Sequence, residues 1–202
     1  SIIYVSKTSG TFTAGVSDGL GGDGLILLKD KTQNFSDLPY TGYTGFLIEI
    51  TGDSGTQFDN YYVKWDGDAW VETVKDGLDN NFSATTMPFV LIRTADGNFR
   101  FTPCDGGTYT IGSTSYDDPS WKGREVGDSV TNPDPSFIGT KINDMFFYRN
   151  RLGFCSDENV IFSKAGEFFN YYYTTVTTTQ DDDVVDISMS HNKVSILKYA
   201  VP

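Results

Sequence analysis

Residues 135–172 read PSFIGTKINDMFFYRNRLGFCSDENVIFSKAGEFFNYY, a stretch with a dense group of aromatic side chains. Its apolar runs alternate with short polar turns, and it predicts three strands over 145–148, 152–154 and 160–163, with turns at 149–151 and 156–159. Asn and Asp tolerate the left-handed backbone of tight turns, so both turns have a physical basis. We therefore expect a β-meander that is apolar on both faces and packs inside a larger all-β body.

The rest of the sequence favours the same fold class. Gly occurs 21 times, and Phe and Tyr together occur 27 times, a composition typical of many short strands with Gly-rich turns. An Asp-Gly turn between alternating apolar runs is a strong hairpin signal, and it predicts hairpins over 61–74 and 89–101. Further elements are predicted as strands at 46–50, 184–189 and 194–201, one or two strands within 1–16, and a single helical turn at 34–38.

A chain of 202 residues is long enough for one large domain or two small ones. Residues 104–135 contain Gly-Gly, Asp-Asp-Pro and Thr-Asn-Pro-Asp-Pro, and this composition predicts an irregular linker. We therefore expect an antiparallel β-domain at 1–103, the linker at 104–135, and a third segment at 136–202 that contains the meander.

The formal charge of the chain is −12, with 27 Asp and Glu against 15 Lys and Arg. Residues 1–103 and residues 104–202 each contribute −6, so neither half forms a basic domain. Binding to nucleic acid is dominated by cationic contacts to phosphates, and an acidic surface repels them. The sequence therefore argues against a DNA-binding protein.

Cysteine and hydropathy restrict the class of protein further. Cys104 and Cys155 are the two cysteines, too few for the disulfide framework of a small secreted domain, and we expect free thiols. No signal peptide or membrane-spanning segment is apparent. The sequence begins with Ser1 rather than Met and ends just after a strand-like run, and we expect it to be a fragment of a longer protein.

Signals for catalysis or cofactor binding are weak. The glycines at 19, 21 and 24 fit a dinucleotide-binding pattern, but no helix is predicted after them and the loop is acidic. His191 is the only histidine, and most acids lie in predicted turns. We therefore predict no catalytic residue, no cofactor and no metal site.

Five charged residues form a candidate assembly surface: Arg149, Arg151, Asp181, Asp182 and Asp183. The three aspartates, with Asp186 nearby, suit a solvated loop or an inter-subunit contact better than a Ca²⁺ site, because consecutive loop residues point in different directions. The two arginines flank a turn of the meander. They can pair with Asp157 or Glu158 across the hairpin, or with a neighbouring subunit.

The aromatic side chains leave a second function open. Trp65, Trp70 and Trp121 can in principle stack on sugars, although packing in the core or in an interface is favoured. All-β architecture, aromatic residues and acids suit a carbohydrate-binding or polysaccharide-degrading protein as well as a structural one. A generic secreted β-adhesin is a third alternative, and it predicts a disulfide between Cys104 and Cys155.

Several ordered motifs resemble the tail tubular protein B family, the nozzle proteins of short-tailed phages (podoviruses). The resemblance covers residues 34–202. It rests mainly on Trp121-Lys-Gly-Arg124, Gly127-Asp128, Thr131-Asn-Pro133, 135–139, Ile142-Asn-Asp144, 147–154, 156–160, Phe168-Phe-Asn170, Ser190-His-Asn192 and 197–202.

The resemblance implies a structural, non-enzymatic virion protein of the phage tail, assembled in the host cytoplasm. It implies a homo-oligomeric, hexameric tube that contacts the tail adaptor (tail tubular protein A) and tail fibres. DNA would pass through the tube during ejection without specific binding. It also implies that 136–202 are part of a β-propeller, with the meander as one blade and 184–202 as the start of the next.

Overall fold

The computed structural model of the chain describes residues 2–17, 27–53, 59–189 and 196–201. This part of the chain is all-β, as predicted, and its sheets are mostly antiparallel. Residues 18–26 and 190–195 lie outside the described residues, so the glycine-rich loop at 19–24 and His191 are not placed.

The amino-terminal half consists of two hairpins and a four-stranded sheet. The strands are β1 (Ile2–Thr8), β2 (Thr11–Ser17), β3 (Lys31–Thr32), β4 (Leu47–Ile50), β5 (Tyr61–Trp65), β6 (Trp70–Thr73), β7 (Val90–Arg93) and β8 (Phe99–Thr102). β1 pairs with β2, and β7 with β8. The sheet has the order β3-β4-β5-β6, in which the short β3–β4 pair is parallel.

Both predicted hairpins are confirmed. β5 and β6 are joined by a turn in which the Asp66 carboxylate accepts hydrogen bonds from the backbone N–H groups of Ala69 and Asp68, each at 2.8 Å. These bonds favour the ionised carboxylate and lower the pKa of Asp66. The predicted helical turn is present as a 3₁₀ turn at Phe35–Asp37.

The carboxy-terminal half contains a hairpin and a second four-stranded sheet. The hairpin joins β9 (Thr108–Ile111) and β10 (Thr114–Asp117). The sheet has the order β11 (Ile142–Tyr148), β12 (Arg151–Ser156), β13 (Asn159–Phe162) and β14 (Val185–Ser188), with every neighbouring pair antiparallel. The first three strands are the predicted meander.

β14 corrects one expectation about the carboxy-terminal segment. Residues 184–202 were expected to begin another blade, but Val185–Ser188 pair with β13 and complete the sheet of the meander. Residues 196–201, part of a second predicted strand, carry no strand. Leu197 N–H donates to the Asp157 carbonyl at 2.7 Å and Ala200 N–H to the Asp144 carboxylate at 2.8 Å, so this segment instead lies against the meander.

The larger hydrophobic core draws on residues far apart in sequence. Its buried members are Met87, Cys104, Trp121, Phe137, Leu152, Phe154, Ile161 and Tyr171. A smaller core beside β4 and β5 is formed by Ile48, Ile50 and Val63. The larger core therefore takes side chains from each of the three predicted segments, and the segment expected to be an irregular linker contributes Trp121 as well as hairpin β9–β10. The division at 103 and 135 stays a prediction.

Both cysteines are free thiols, as predicted, and both are buried. Burial, with a smaller contribution from the carboxylates of Asp105 and Asp118, raises the pKa of Cys104 to about 11. Burial and the Asp144 carboxylate also raise the pKa of Cys155. The free thiols contradict the disulfide that a secreted adhesin would carry.

Two expectations concern larger architecture. No sheet within the described residues closes into a barrel or a propeller ring, so the expected partial propeller stays a prediction. Within the same residues, no helix has the length and apolar character needed to cross a membrane.

Gly153 in β12 is expected to tolerate no side chain. A Cβ atom there would lie 2.6 Å from Cζ of Phe146, whose ring packs edge-on against Phe162 with centroids 5.3 Å apart. Gly153→Ala should therefore destabilise the chain by about 1–3 kcal/mol, measured by urea unfolding. In a Phe146→Ala background the same substitution should cost little, because the clashing ring is gone. Equal costs in both backgrounds would contradict the steric explanation.

Candidate assembly surface

The turn between β11 and β12 presents the first part of the predicted surface. Arg149 and Asn150 both have positive φ angles, 46° and 60°, the geometry of a two-residue hairpin turn whose twist matches that of the strands. The Asn150 carbonyl accepts a hydrogen bond from Gly166 N–H at 2.8 Å. Arg151 therefore belongs to the strand rather than to the turn, and the two arginines have different surroundings.

Arg151 binds backbone carbonyls on neighbouring segments. Its guanidinium donates to the Ser163 carbonyl at 2.9 Å, to the Asp181 carbonyl at 3.0 Å and to the Asp183 carbonyl. The sequence left two pairings open, one with Asp157 or Glu158 and one with a neighbouring subunit, and for Arg151 the first is wrong. Those residues form the turn at the other end of β12, so the side chain reaches the 181–183 loop instead.

Arg149 remains exposed at the tip of the turn. Its guanidinium lies over the ring of Tyr148 at 5.2 Å from the centroid, within the range of a cation–π contact. Within the described residues it forms no hydrogen bond or ion pair, with Asp157 and Glu158 or with any other group. Of the two arginines, Arg149 is therefore the one whose charge is left for a contact outside the chain.

The three aspartates of the surface are held in three different ways. Asp181 offers its carbonyl to Arg151 and is exposed. Asp182 forms an ion pair with Lys164, with Oδ2 and Nζ 3.3 Å apart. The carboxylate of Asp183 is buried: Oδ2 accepts from Gln180 N–H at 2.7 Å, and Oδ1 has no partner among the described residues.

In these arrangements the carboxylates point to different places and do not meet at one point. Asp186, the fourth acid of the cluster, accepts a hydrogen bond from Ser136 N–H at 2.7 Å on another segment. Across the described ranges, no group of three or more His, Cys, Asp or Glu side chains is placed to hold a metal ion.

Lys164 reinforces the contact between the loop and the sheet. It is buried, and its Nζ lies 3.0 Å from the hydroxyl of Thr174 in addition to the Asp182 carboxylate. Farther along the loop, Glu72 of β6 accepts from Val176 N–H and from the Thr175 hydroxyl, both at 2.7 Å. The 174–183 loop is thus fixed to both four-stranded sheets.

Replacing Arg151 with methionine should loosen this loop. Hydrogen bonds that involve a charged group contribute about 1.5–3 kcal/mol, so the amides of Ala165 and Asp183 should exchange hydrogen roughly thirtyfold faster. Hydrogen–deuterium exchange with mass spectrometry measures the change. Arg149→Met is the matched control, since it removes the same charge from the same hairpin without a hydrogen bond, and it should leave the exchange unchanged. An equal increase in hydrogen exchange in both variants would contradict the proposed role of Arg151 in holding the 174–183 loop.

A buried polar cluster around Arg124 was not recognised as a site from the sequence. The guanidinium donates to the Asn132 carbonyl at 2.6 Å, to the Asp134 carboxylate at 2.6 Å and to the Asp79 carbonyl at 3.3 Å. Its Cζ atom lies over the ring of Tyr172, 4.8 Å from the ring centroid. The cluster connects segments about 90 residues apart, so it fixes the body that carries the candidate surface.

Asn132 completes the cluster. It is 1% exposed, its amide donates to the carbonyls of Val126 and Tyr173, and its side-chain oxygen accepts from Tyr173 N–H, all at 3.0 Å. Burial and the hydrogen bond to Asp134 raise the pKa of Tyr172. The motifs at 121–124 and 131–133 were signals for this cluster, although the contacts between them are not encoded locally.

Two of the three tryptophans are not available for stacking on a sugar. Trp65 and Trp121 are buried, in agreement with the favoured prediction of core packing. Trp70 is half-buried, and its indole N–H donates to the Pro39 carbonyl at 2.8 Å. Stacking on a sugar would require an exposed ring face, which the two buried rings lack.

The whole chain matches a known protein family. Residues 1–202 match a protein family described as "Bacteriophage nozzle protein". The chain is also 38% identical over 206 residues to the protein named "Tail tubular protein gp12" of Escherichia phage T7. That alignment covers 99% of the chain and 24% of the T7 protein, so the chain spans about a quarter of the length of this relative.

Proposed function

Because the chain belongs to the bacteriophage nozzle protein family, we propose that it is a structural part of the tail of a short-tailed phage, in a nozzle that conducts DNA during ejection. The observation that carries the proposal is the family match over all 202 residues. The 38% identity to a T7 tail tubular protein supports the same location, the virion tail.

The contacts of the chain suit a structural role. Arg124, Arg151 and Lys164 are each committed to holding segments of the chain together, and their charges are met by carbonyls and carboxylates of the same chain. Such pre-arranged groups give a rigid body. A tube under the load of passing DNA needs rigid subunits, so we propose a mechanical rather than a catalytic function.

We further propose that the chain assembles as a homo-oligomer, hexameric in the tail, after synthesis in the host cytoplasm. The tail adaptor (tail tubular protein A) and the tail fibres would be its other partners. The candidate assembly surface would lie at a subunit contact, with Arg149 and Asp181 facing the neighbour. Arg151, Asp182 and Asp183 would support that surface from within the chain.

The four-stranded sheet β11–β14 is proposed to be one blade of a β-propeller. It is antiparallel and its strands are adjacent in sequence order, as in blades of propellers. The ring would be completed by parts of the polypeptide beyond this chain.

Charge supports the proposed passage of DNA. The chain has a net charge of −12. A wall built from acidic subunits would repel the duplex, which carries one negative charge per about 1.7 Å of its axis. We therefore propose that DNA passes through without specific binding.

Electron microscopy of the full-length protein tests the assembly. Six-fold rings are expected. Arg149→Glu should reduce the fraction of protein in rings, because the exposed guanidinium would face the neighbour, whereas Lys141→Glu, the same charge change at an exposed lysine outside the surface, should not. Monomers that release reducing ends from polysaccharide, with turnover abolished by one Asp or Glu substitution, would overturn the structural proposal.

A further inference from the structure

The hairpin β7–β8 has one face fixed to the body of the protein. On that face Val90 packs against the larger core. Arg100 forms a bidentate pair with Asp118, at 3.0 and 2.8 Å, and the Thr102 hydroxyl donates to the same carboxylate at 3.1 Å. Because three contacts hold this face, the orientation of the hairpin is determined, and so is the direction in which its other face points.

The opposite face is apolar and exposed. Leu91 lies directly opposite Phe101, and Arg93 opposite Phe99. The exposed fractions are 65% for Leu91, 68% for Phe99 and 70% for Phe101. Phe89, at the start of the hairpin, stacks on Phe101 with ring centroids 5.3 Å apart. These five side chains, Phe89, Leu91, Arg93, Phe99 and Phe101, form the β7–β8 face.

The area of this face suits a contact between proteins. Its four apolar side chains expose roughly 500 Å², taking about 200 Å² for each large side chain. That value lies near the upper end of the largest apolar patch on a typical monomer, about 300–600 Å². It is more than half of the roughly 800 Å² that each partner contributes to an interface of standard size.

The charge around the face indicates the kind of partner. Arg100 is paired with Asp118, so the charges left in the hairpin are Arg93 on the exposed face and Asp96, which lies in the turn and is hydrogen-bonded to Thr94 and Asn98. The chain as a whole has a net charge of −12. Arg93 stands on the exposed face and forms no hydrogen bond or ion pair within the part of the chain that the structure describes. An acidic group on a partner would complement Arg93, and another copy of the same chain is acidic.

We propose that the β7–β8 face is a contact site for a second copy of this chain. The inference deepens the proposed assembly in the tail and rests on it for the reason why copies meet. The aromatic side chains and Leu91 supply the buried centre of the contact, and Arg93 pairs with acids on the neighbouring copy. The face is distinct from the candidate assembly surface around Arg149.

Sedimentation equilibrium of the purified chain over about 1–100 µM tests the proposal. Self-association is expected, and the double variant Leu91→Thr/Phe101→Thr should weaken it by about tenfold or more, because central apolar anchors dominate such contacts. Phe12→Thr is the matched control: Phe12 is 67% exposed in another hairpin, and its loss should leave association unchanged. Circular dichroism must show that each variant is folded.

Arg93→Glu provides a second test that leaves the apolar side chains in place. It should weaken association, most strongly at low salt, where charges are least screened. A chain that stays monomeric, an unaffected double variant, an equal effect of Phe12→Thr, or an unaffected Arg93→Glu variant would overturn the proposal. If the full-length protein still forms six-fold rings, any of these contradicting results would exclude the β7–β8 face as a contact site. The proposed function would then be unaffected.

Discussion

Replacing Arg124 with methionine is expected to destabilise the folded chain by about 2–4 kcal/mol. The methionine side chain fills part of the volume but donates no hydrogen bond, so the carbonyls of Asn132 and Asp79 lose their charged donor. The contact with the Tyr172 ring is lost as well. The Asp134 carboxylate is 61% exposed and can be solvated by water in the variant. The cost therefore arises mainly from the buried Asn132 carbonyl and not from an unpaired acid.

Urea unfolding followed by near-ultraviolet circular dichroism measures this change, and the midpoint of thermal unfolding should fall by roughly 10 °C. Lys122→Met is the control. Lys122 carries the same charge two residues away, but it is partly exposed and its partners Glu125 and Glu167 are exposed, so the loss should stay below about 1 kcal/mol. Similar losses in the two variants would show that Arg124 acts only through its charge.

Phe154→Ala should produce a loss of similar size, about 3–5 kcal/mol, for a different reason. Phe154 is 2% exposed and lies between Phe137 and Tyr171, with ring centroids 5.1 and 5.4 Å away. Removing the ring leaves a cavity at the centre of the larger core. Tyr171 is held by a hydrogen bond to the Leu152 carbonyl, so it cannot easily move to fill that cavity.

The free energy of unfolding from urea titrations tests this prediction too. Phe147→Ala on the adjacent strand is the matched control, because Phe147 is 58% exposed and should cost about 1 kcal/mol or less. Phe154→Leu should recover part of the loss by filling part of the cavity. A Phe154→Ala chain as stable as the Phe147→Ala chain would show that the larger core does not depend on this ring.

Local features of the fold could be predicted from the sequence because their causes are local. The Asp66-Gly67 turn, the Arg149-Asn150 turn and the strands beside them depend on residues within about ten positions of one another. Their hydrogen bonds and positive φ angles are those that the sequence signals require. The all-β class followed from the same signals repeated along the chain.

The features that the sequence did not predict depend on contacts between residues far apart in the chain. β14 joins the meander after an intervening stretch of more than 20 residues, and no local pattern specifies which sheet edge it meets. For Arg151 the sequence left open a pair with Asp157 or Glu158 and a contact with a neighbouring subunit. Its partners are backbone carbonyls, which every residue carries and which the sequence therefore cannot distinguish. Buried polar residues such as Arg124 and Asn132 resemble exposed ones until the fold brings their partners together.

The larger core also has a consequence for synthesis of the protein on the ribosome. Met87 and Tyr171 belong to the same core, and a ribosome that adds about 5–20 residues per second needs roughly 4 to 17 seconds to proceed from one to the other. During that interval the apolar side chains of the earlier strands have no completed core to enter. Host chaperones would meet the nascent chain in this state, and slow codons between these two positions would prolong it.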